Sequence, residues 1–358
     1  MTGNSAASKS IGEKAANLWH IPSDYLNHLE KLFAANHEAD LWLLCDRNTR
    51  KHCLPLLQPL LPKSTRILCL PAGEKSKSLE SAAIIWKELS KKAADRHALL
   101  LCLGGGMICD LGGFAASVYK RGIRFVLLPT SLLAMADACL GGKTGVDFEG
   151  FKNQLGTFSN PDEIILIPDF LRTLPEEDLL SGMAEISKHA LCGNSAVWND
   201  LRKAEVHRQN WPALIEASLR FKQSIVEEDP LEKGKRKVLN AGHTLGHALE
   251  SFFLASGNPQ PHGYCVAAGL VMEGRIALEK GLLSETELLQ VEEFVYAEFG
   301  MLPLKKKDIP KVISFCRQDK KNRGGKILAS LYGPAGTCSI DQEISEDEIR
   351  LALRYYLG

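Results

Sequence analysis

Two histidines, His243 and His247, stand four residues apart in the stretch LNAGHTLGHALE. Side chains four apart on an α-helix share a face, so the two imidazoles could hold a metal together or divide ligation and proton transfer between them. His262 follows in QPHGYCVAAG, just before the next helical pattern, and SGMAEISKH places Glu185, Lys188 and His189 on one helical face. A catalytic zinc takes three protein ligands and keeps one position open, and two histidines with a glutamate form a known set. Spacing alone leaves Glu185, His189, His243, His247 and His262 competing for three places, with His189 also readable as a core histidine. Arg236, Asn240, His243, His247 and Glu250 recur at steps of four, three, four and three. That pattern predicts a polar stripe on one otherwise apolar helix, and its Asn and His content points to a lined cavity rather than to solvent.

Cations gather in similar settings. Arg121, Lys143, Lys152, Lys188, Lys222, Arg236 and the pair Lys320–Lys321 lie in or near YKRG, LGGKTG, FKNQLG and DKKN. If they converge, their partner is a small, strongly anionic molecule. A second chemical signal is LCLGGGMICDLGG (101–113), an apolar strand running through three glycines into a helix. Glycine lets the backbone approach a pyrophosphate, and the helix N-terminus adds N–H donors and a favourable dipole. The dinucleotide fingerprint G-x-G-x-x-G is not met, because Cys109 occupies the third glycine position. Asp46, closing LWLLCD, is placed to accept hydrogen bonds from a ribose, and PAGEKSK sets Glu74 and Lys77 in another strand-exit loop.

The elements that must carry these residues fall into two classes. LWLLC (41–45), RILCLP (66–71), ALLLCL (98–103), RFVLLP (124–129) and EIILIP (163–168) are continuous apolar runs separated by helical patterns. Such runs predict a parallel sheet covered on both faces, an α/β nucleotide-binding domain over 1–169. Helical periodicity dominates after about residue 170 and predicts an all-helical metal- and substrate-binding domain over 170–358, with a cleft between the two. Two domains suit 358 residues. Lys and Arg number 43 and so do Asp and Glu, which gives no electrostatic case for nucleic acid or a membrane surface. Ten scattered cysteines without a CxxC read as reduced thiols, and neither a secretory leader nor a spanning apolar run is present. The expected location is the cytoplasm.

GEKSK, LGGGMICDLGGFAASVYKRG, LPTSLLAMADACLGGKTG, FKNQLGTF, DFLRTLP, GMAEISKHAL, DPLEKGKRKVLNAGHTLGHALE, HGYCVAAG and DKKN occur in the order found in 3-dehydroquinate synthases, across roughly residues 70–325. The chain therefore resembles that family of sugar-phosphate cyclases. The resemblance implies a lyase that uses NAD and a divalent metal, zinc or alternatively cobalt. It implies conversion of 3-deoxy-D-arabino-heptulosonate 7-phosphate to 3-dehydroquinate and phosphate in the shikimate pathway. The steps implied are transient oxidation, phosphate elimination, re-reduction, ring opening and aldol closure. Matching motif by motif, Glu185, His243 and His262 correspond to metal ligands and His247 to a substrate-facing acid–base group. Asp137, Lys143, Asn153, Lys188, Lys222, Glu232, Arg236, Asn240 and one of Lys320 or Lys321 correspond to substrate contacts. Arg121 corresponds to a phosphate contact across a homodimer interface. For NAD the matching positions are Asp46, Asn48, Glu74, Lys77, Gly105, Gly106, Asp110, Thr130, Ser131, Lys143, Lys152, Phe170, Thr173 and Leu174. Residues 1–40 show no equivalent of the family's opening strand pair, and EGFKN stands where PLGKN is common. The nearest alternative is a related cyclase whose substrate lacks a carboxylate. A metal-dependent alcohol dehydrogenase of the glycerol dehydrogenase type would need no phosphate-binding lysines. A non-catalytic binding protein would need no His247, Lys143 or Lys188.

Overall fold

The computed structural model describes residues 18–149, 151–318, 322 and 324–358. The chain divides into two compact units, the first ending at Thr173 and the second beginning at Leu174. In the first unit the elements are β1 (Trp19–His20), α1 (Tyr25–Ala35), β2 (Leu41–Asp46), α2 (Arg47–His52), α3 (Leu54–Leu57) and β3 (Arg66–Leu70). They continue as α4 (Leu79–Lys91), β4 (Leu99–Gly104), α5 (Gly106–Val118), β5 (Arg124–Pro129), β6 (Lys143–Phe148), β7 (Phe151–Phe158) and β8 (Glu163–Ile165).

Six strands form one parallel sheet in the order β1-β8-β5-β4-β2-β3. Every residue of β2 and β4 is buried, as their unbroken apolar sequence requires when helices cover both faces. β3 pairs on one side of β2, and the chain then crosses back so that β4 pairs on the other. The carboxyl ends of β2 and β4 therefore flank the point where strand order reverses, the usual ligand crevice of such sheets. Two features lacked a sequence signal. β1 is a two-residue strand beside β8, where the first forty residues had suggested none. β6 and β7 form a separate antiparallel hairpin whose β7 side chains are mostly exposed.

The second unit is predominantly helical: α6 (Glu176–Gly193), α7 (Ser195–Leu201), α8 (Trp211–Glu228), α9 (His243–Ala255), α10 (His262–Glu279), α11 (Glu285–Phe299), α12 (Ile309–Arg317) and α13 (Glu346–Leu357). It adds one antiparallel pair, β9 (Ile327–Tyr332) with β10 (Cys338–Ile344), so helices are not its whole content. Its core is the apolar face of α10, buried from Cys265 to Ala277 except at Arg275, against α6, α9, α11 and α13. Truncating one of these buried aliphatic residues to alanine costs about 2–5 kcal/mol.

All ten cysteines are free thiols; Cys69 and Cys338 are half-buried and the other eight are buried. Among the described residues no helix is long and apolar enough to cross a membrane.

Candidate metal and nucleotide sites

The predicted single helix through Arg236 and Glu250 is broken. Lys235–Asn240 forms a 3-10 turn, and α9 starts only at His243, after Gly242 with φ +74°. A Cβ on Gly242 would meet Leu270 at 2.9 Å and the Val266 carbonyl at 3.1 Å, so both its conformation and its packing demand glycine here. The stripe accordingly splits. Arg236 and Asn240 stay on the turn, where Arg236 donates to the Pro230 carbonyl at 2.8 Å and Asn240 donates to Glu232 at 3.0 Å. Asp229 orders the loop before them by accepting from the backbone N–H of Lys233, Gly234 and Arg236 at 2.7–3.0 Å.

His243, His247 and Glu250 continue on α9, and His262 is the first residue of α10 rather than a loop residue before it. Nε2 of His243 lies 3.3 Å and Nε2 of His262 lies 3.1 Å from the same oxygen, Oε1 of Glu185 on α6. The other oxygen of Glu185 pairs with Lys188. The Nδ1–H of His243 donates to the Ala241 carbonyl at 3.0 Å, and that of His262 donates to Glu250 at 3.3 Å. Each ring is thereby fixed with its Nε2 turned toward Glu185, the outer support that metal-ligating histidines have. Two ligands about 2.1 Å from a tetrahedral zinc sit about 3.3 Å apart, close to the spacings found. The three donor atoms lie within 4.8 Å of one another. This donor set fits a divalent metal.

The electrostatics agree. Glu185 is 1 % exposed. Burial opposes its ionisation, yet Lys188 and the two imidazoles hold its carboxyl well below the usual range. Burial dominates at His243 and lowers its pKa. At His262 burial is outweighed by Glu185 and Glu250, and the ring is pushed up to about 10.

The remaining histidines are placed differently. The His247 ring stands beside the cluster, with centroids 5.0 Å from His243 and 6.0 Å from His262. His247, Glu250 and His262 form a second close group. In it Glu250 already accepts from His262 Nδ1, on the side of the ring away from Glu185. His189 meets Ser218 at 2.6 Å. Three cations of this unit are almost wholly out of water: Lys188 at 1 %, Arg236 at 3 % and Lys222 at 6 % exposure.

In the first unit, β4 ends at Gly104, Gly105 caps α5, and Gly106 opens it. A Cβ on Gly112 would stand 2.4 Å from Cys102 Sγ, so Gly112 provides the close helix–strand packing that the fingerprint assigns to its third glycine. Cys109 is buried and points its thiol at the Gly104 carbonyl, 3.5 Å away. Thr130 N–H donates to Gly104 O at 3.0 Å, which sets Thr130 and Ser131 beside the glycine turn. Asp46 caps α2 through the N–H groups of Asn48 and Thr49, at 2.8 and 2.9 Å. Its carboxylate is fixed at the strand end, next to β4. Lys77 is buried and pairs with Asp110 at 2.6 Å, with Glu74 3.9 Å away. A small cavity is lined in part by Asp110, Ala138, Lys143 and Thr144. Asp137 sits on a π-helical turn, Ala134–Ala138. Asn153 has φ +51° and its N–H bonds Asp147 at 2.7 Å; Lys152 and Arg121 are exposed. Phe170 is buried in the 3-10 turn Pro168–Thr173, which leads into Leu174. Lys320 and Lys321 lie outside the described residues, as does the chain before residue 18.

Two family models match consecutive parts of the chain: 3-dehydroquinate synthase N-terminal over residues 67–181 and 3-dehydroquinate synthase C-terminal over 182–322. The chain belongs to the 3-dehydroquinate synthase family. A 3-dehydroquinate synthase of Parabacteroides distasonis is 38 % identical over 341 residues, 94 % of this chain and 96 % of that protein. The fold is shared with 2-epi-5-epi-valiolone synthase of Streptomyces hygroscopicus subsp. jinggangensis, solved with NAD+ and Zn2+. That structure is 22 % identical, with a TM-score of 0.80 and 98 % of each chain covered. A 2-deoxy-scyllo-inosose synthase complexed with carbaglucose-6-phosphate, NAD+ and Co2+ is also 22 % identical, with a TM-score of 0.77 over 91 % of this chain and 94 % of that one.

Two residues of the second unit had no role in the sequence reading. Glu250 orients His262, and its place in the stripe seven residues after His243 was a usable signal. Glu273 binds the start of α9 from α10, and nothing in its local sequence marks it.

Proposed function

We propose that this chain converts 3-deoxy-D-arabino-heptulosonate 7-phosphate to 3-dehydroquinate and phosphate, with NAD and one divalent metal. The observation that carries the reading is the convergence of His243 and His262 on one oxygen of buried Glu185, each ring anchored at Nδ1. These three residues would hold the metal, which when bound supplies Lewis acidity at the substrate hydroxyls and the adjoining carbonyl. The crevice at the ends of β2 and β4 would hold NAD, which supplies a reversible hydride acceptor. Asp46 and Asn48 would meet its ribose, and Gly105, Gly106, Thr130 and Ser131 its pyrophosphate side. Glu74, Lys77, Asp110, Lys143, Lys152, Phe170, Thr173 and Leu174 complete the proposed cofactor contacts.

His247, beside the ligand cluster on α9, is assigned proton transfer at the substrate. Lys188, Lys222 and Arg236 carry positive charge out of water, where an anionic substrate gains most from it. We assign them, with Glu232 and Asn240, to the carboxylate, hydroxyls and phosphate. Asp137, Lys143 and Asn153 are the proposed contacts from the first unit, and one of Lys320 or Lys321 is a further one. Holding the open-chain product in a closing geometry is the remaining task of these residues, since ring closure is intramolecular. Arg121 is proposed to serve a neighbouring subunit in a homodimer, and the cytoplasm is the proposed location.

Metal-loaded protein with catalytic NAD is incubated with 3-deoxy-D-arabino-heptulosonate 7-phosphate and, separately, with sedoheptulose 7-phosphate, and followed by NMR. Phosphate and 3-dehydroquinate should form without net NADH. Turnover of sedoheptulose 7-phosphate alone would replace the proposed substrate by one without a carboxylate. Accumulating NADH would instead make the chain a dehydrogenase.

A further inference from the structure

Glu273 lies on α10, eleven residues and about three helical turns beyond His262. It is 0 % exposed. Its carboxylate accepts from the Gly242 N–H at 2.6 Å and from the Leu245 N–H at 3.0 Å, one oxygen to each. Both donors belong to the start of α9, where N–H groups have no partner within the helix and a negative charge is favoured. Between these two N–H groups sits His243. The helices also touch through their backbones. A Cβ on Gly269 would stand 2.0 Å from the Gly242 carbonyl, and one on Gly246 would stand 3.1 Å from the Cys265 carbonyl. The helix that begins with His262 thus grips, by two hydrogen bonds and by close packing, the helix end that carries His243.

We propose that Glu273 is a positioning residue that sets His243 against His262 before any metal arrives, so that the metal meets a preformed three-ligand site. The inference rests on the metal reading given above. Ordinary core packing would not need a buried carboxyl group here, whereas holding two N–H groups on either side of a proposed ligand does. A neutral amide in its place offers one acceptor and one donor, so one of the two N–H groups loses its partner.

The test uses cobalt(II) as the probe on the full chain, titrated by its visible absorption against a competing chelator, with Glu273→Gln and Glu292→Gln beside the unaltered protein. Glu292 on α11 is the matched control, a buried glutamate of the same unit that lies beside Tyr355 of α13. Glu273→Gln should weaken cobalt binding about 10–100-fold, the range seen when a ligand's outer partner is lost. Its cobalt spectrum should shift as well. Glu292→Gln should lower thermal stability and leave cobalt affinity within about twofold of the original. Equal cobalt affinity in Glu273→Gln and the unaltered protein, or equal losses in both variants, overturns the proposal while leaving the metal site standing. If the unaltered protein binds no cobalt, the metal reading fails and this inference with it.

Should Glu273→Gln not fold, amide exchange in the unaltered protein decides. A preset turn keeps the Gly242 and Leu245 amides protected to within about threefold with and without cobalt. Protection that rises more than about tenfold on adding cobalt would show that the metal orders the turn, and would overturn the proposal.

Discussion

Each unit of this protein brings two histidines to one glutamate oxygen, but the two clusters hold their rings differently, and only the second has the spacing of the proposed metal ligands. In the first unit, His20 on β1 and His28 on α1 reach Oε1 of Glu163 on β8 at 3.5 and 2.5 Å. In the second, His243 and His262 reach Oε1 of Glu185 at 3.3 and 3.1 Å. The first contact of His28 is a hydrogen bond, too short for two atoms that share a tetrahedral ion at about 3.3 Å spacing. Nε2 of His28 is hydrogen-bonded to Glu163 and Nε2 of His262 to Glu185, but in the second unit each ring is also anchored at Nδ1, His243 on the Ala241 carbonyl and His262 on Glu250. Exposure separates the clusters too, with the Glu163 side chain at 17 % and the Glu185 side chain at 1 %. Residue types alone do not make a metal site. The second hydrogen bond of each ring and the burial of the carboxylate make the difference.

The sharpest way to break this comparison is to remove the two glutamates in turn. Glu185→Gln should lower metal affinity by at least about 100-fold, and by leaving Lys188 buried without its anion should destabilise the fold by about 3–5 kcal/mol. Glu163→Gln should leave one metal per chain and change stability by less than about 1 kcal/mol. Metal analysis after dialysis, with urea unfolding, reads both. A smaller effect is expected from Glu250→Gln, which frees the His262 ring to rotate: a loss of about 10–100-fold in metal affinity with the ligands intact. Retained affinity in that variant would mean that the Nδ1 anchors are incidental.

The smallest effect is a dependence on pH. The folded-state pKa of metal-free His262 is raised, to about 10, above its ordinary value of 6.5. The stability it contributes is fully present below the ordinary value and is lost as pH rises through about 10. The melting temperature of chelator-treated protein should therefore fall as pH rises above neutrality toward 10. Metal-loaded protein should show a flatter profile, because the metal has already displaced that proton. A parallel decline in both states would locate the titration elsewhere.

Much of the sheet was legible because buried parallel strands write themselves as unbroken apolar runs. LWLLC and RFVLLP became β2 and β5 with boundaries within one residue. The hairpin β6–β7 was not legible, because its exposed strands carry Lys143, Lys152 and Asn153 with no alternation to reveal them. Neither was β1, whose two residues owe their strand state to β8 alone. At the proposed metal site, spacing alone left five candidates open, and it was the family resemblance that picked out Glu185, His243 and His262. His189 and His247 satisfy the same spacing rules as His243, but in the folded chain His189 turns to Ser218 while His243 and His262 meet Glu185. Sequence periodicity continued through the break at Gly242 because a 3-10 turn still returns side chains to one side every three residues. Glu273 was invisible for a different reason: its partners are backbone N–H groups of another helix, and these carry no sequence label.

The distribution of thiols has a practical consequence for watching the molecule open. Cys69 is half-buried, so a thiol reagent would tag it first in the folded chain, whereas the equally half-buried Cys338 is held protonated by its contact with Cys192 and by burial. Cys45, Cys53, Cys102, Cys109 and Cys139 are sealed in the first unit, and Cys192, Cys265 and Cys316 in the second. Each becomes reactive only when its surroundings unfold. The natural sequence therefore carries its own set of timed labels. Mass spectrometry of the tagged peptides would report whether the first and second units unfold together or in turn, with no cysteine added or removed.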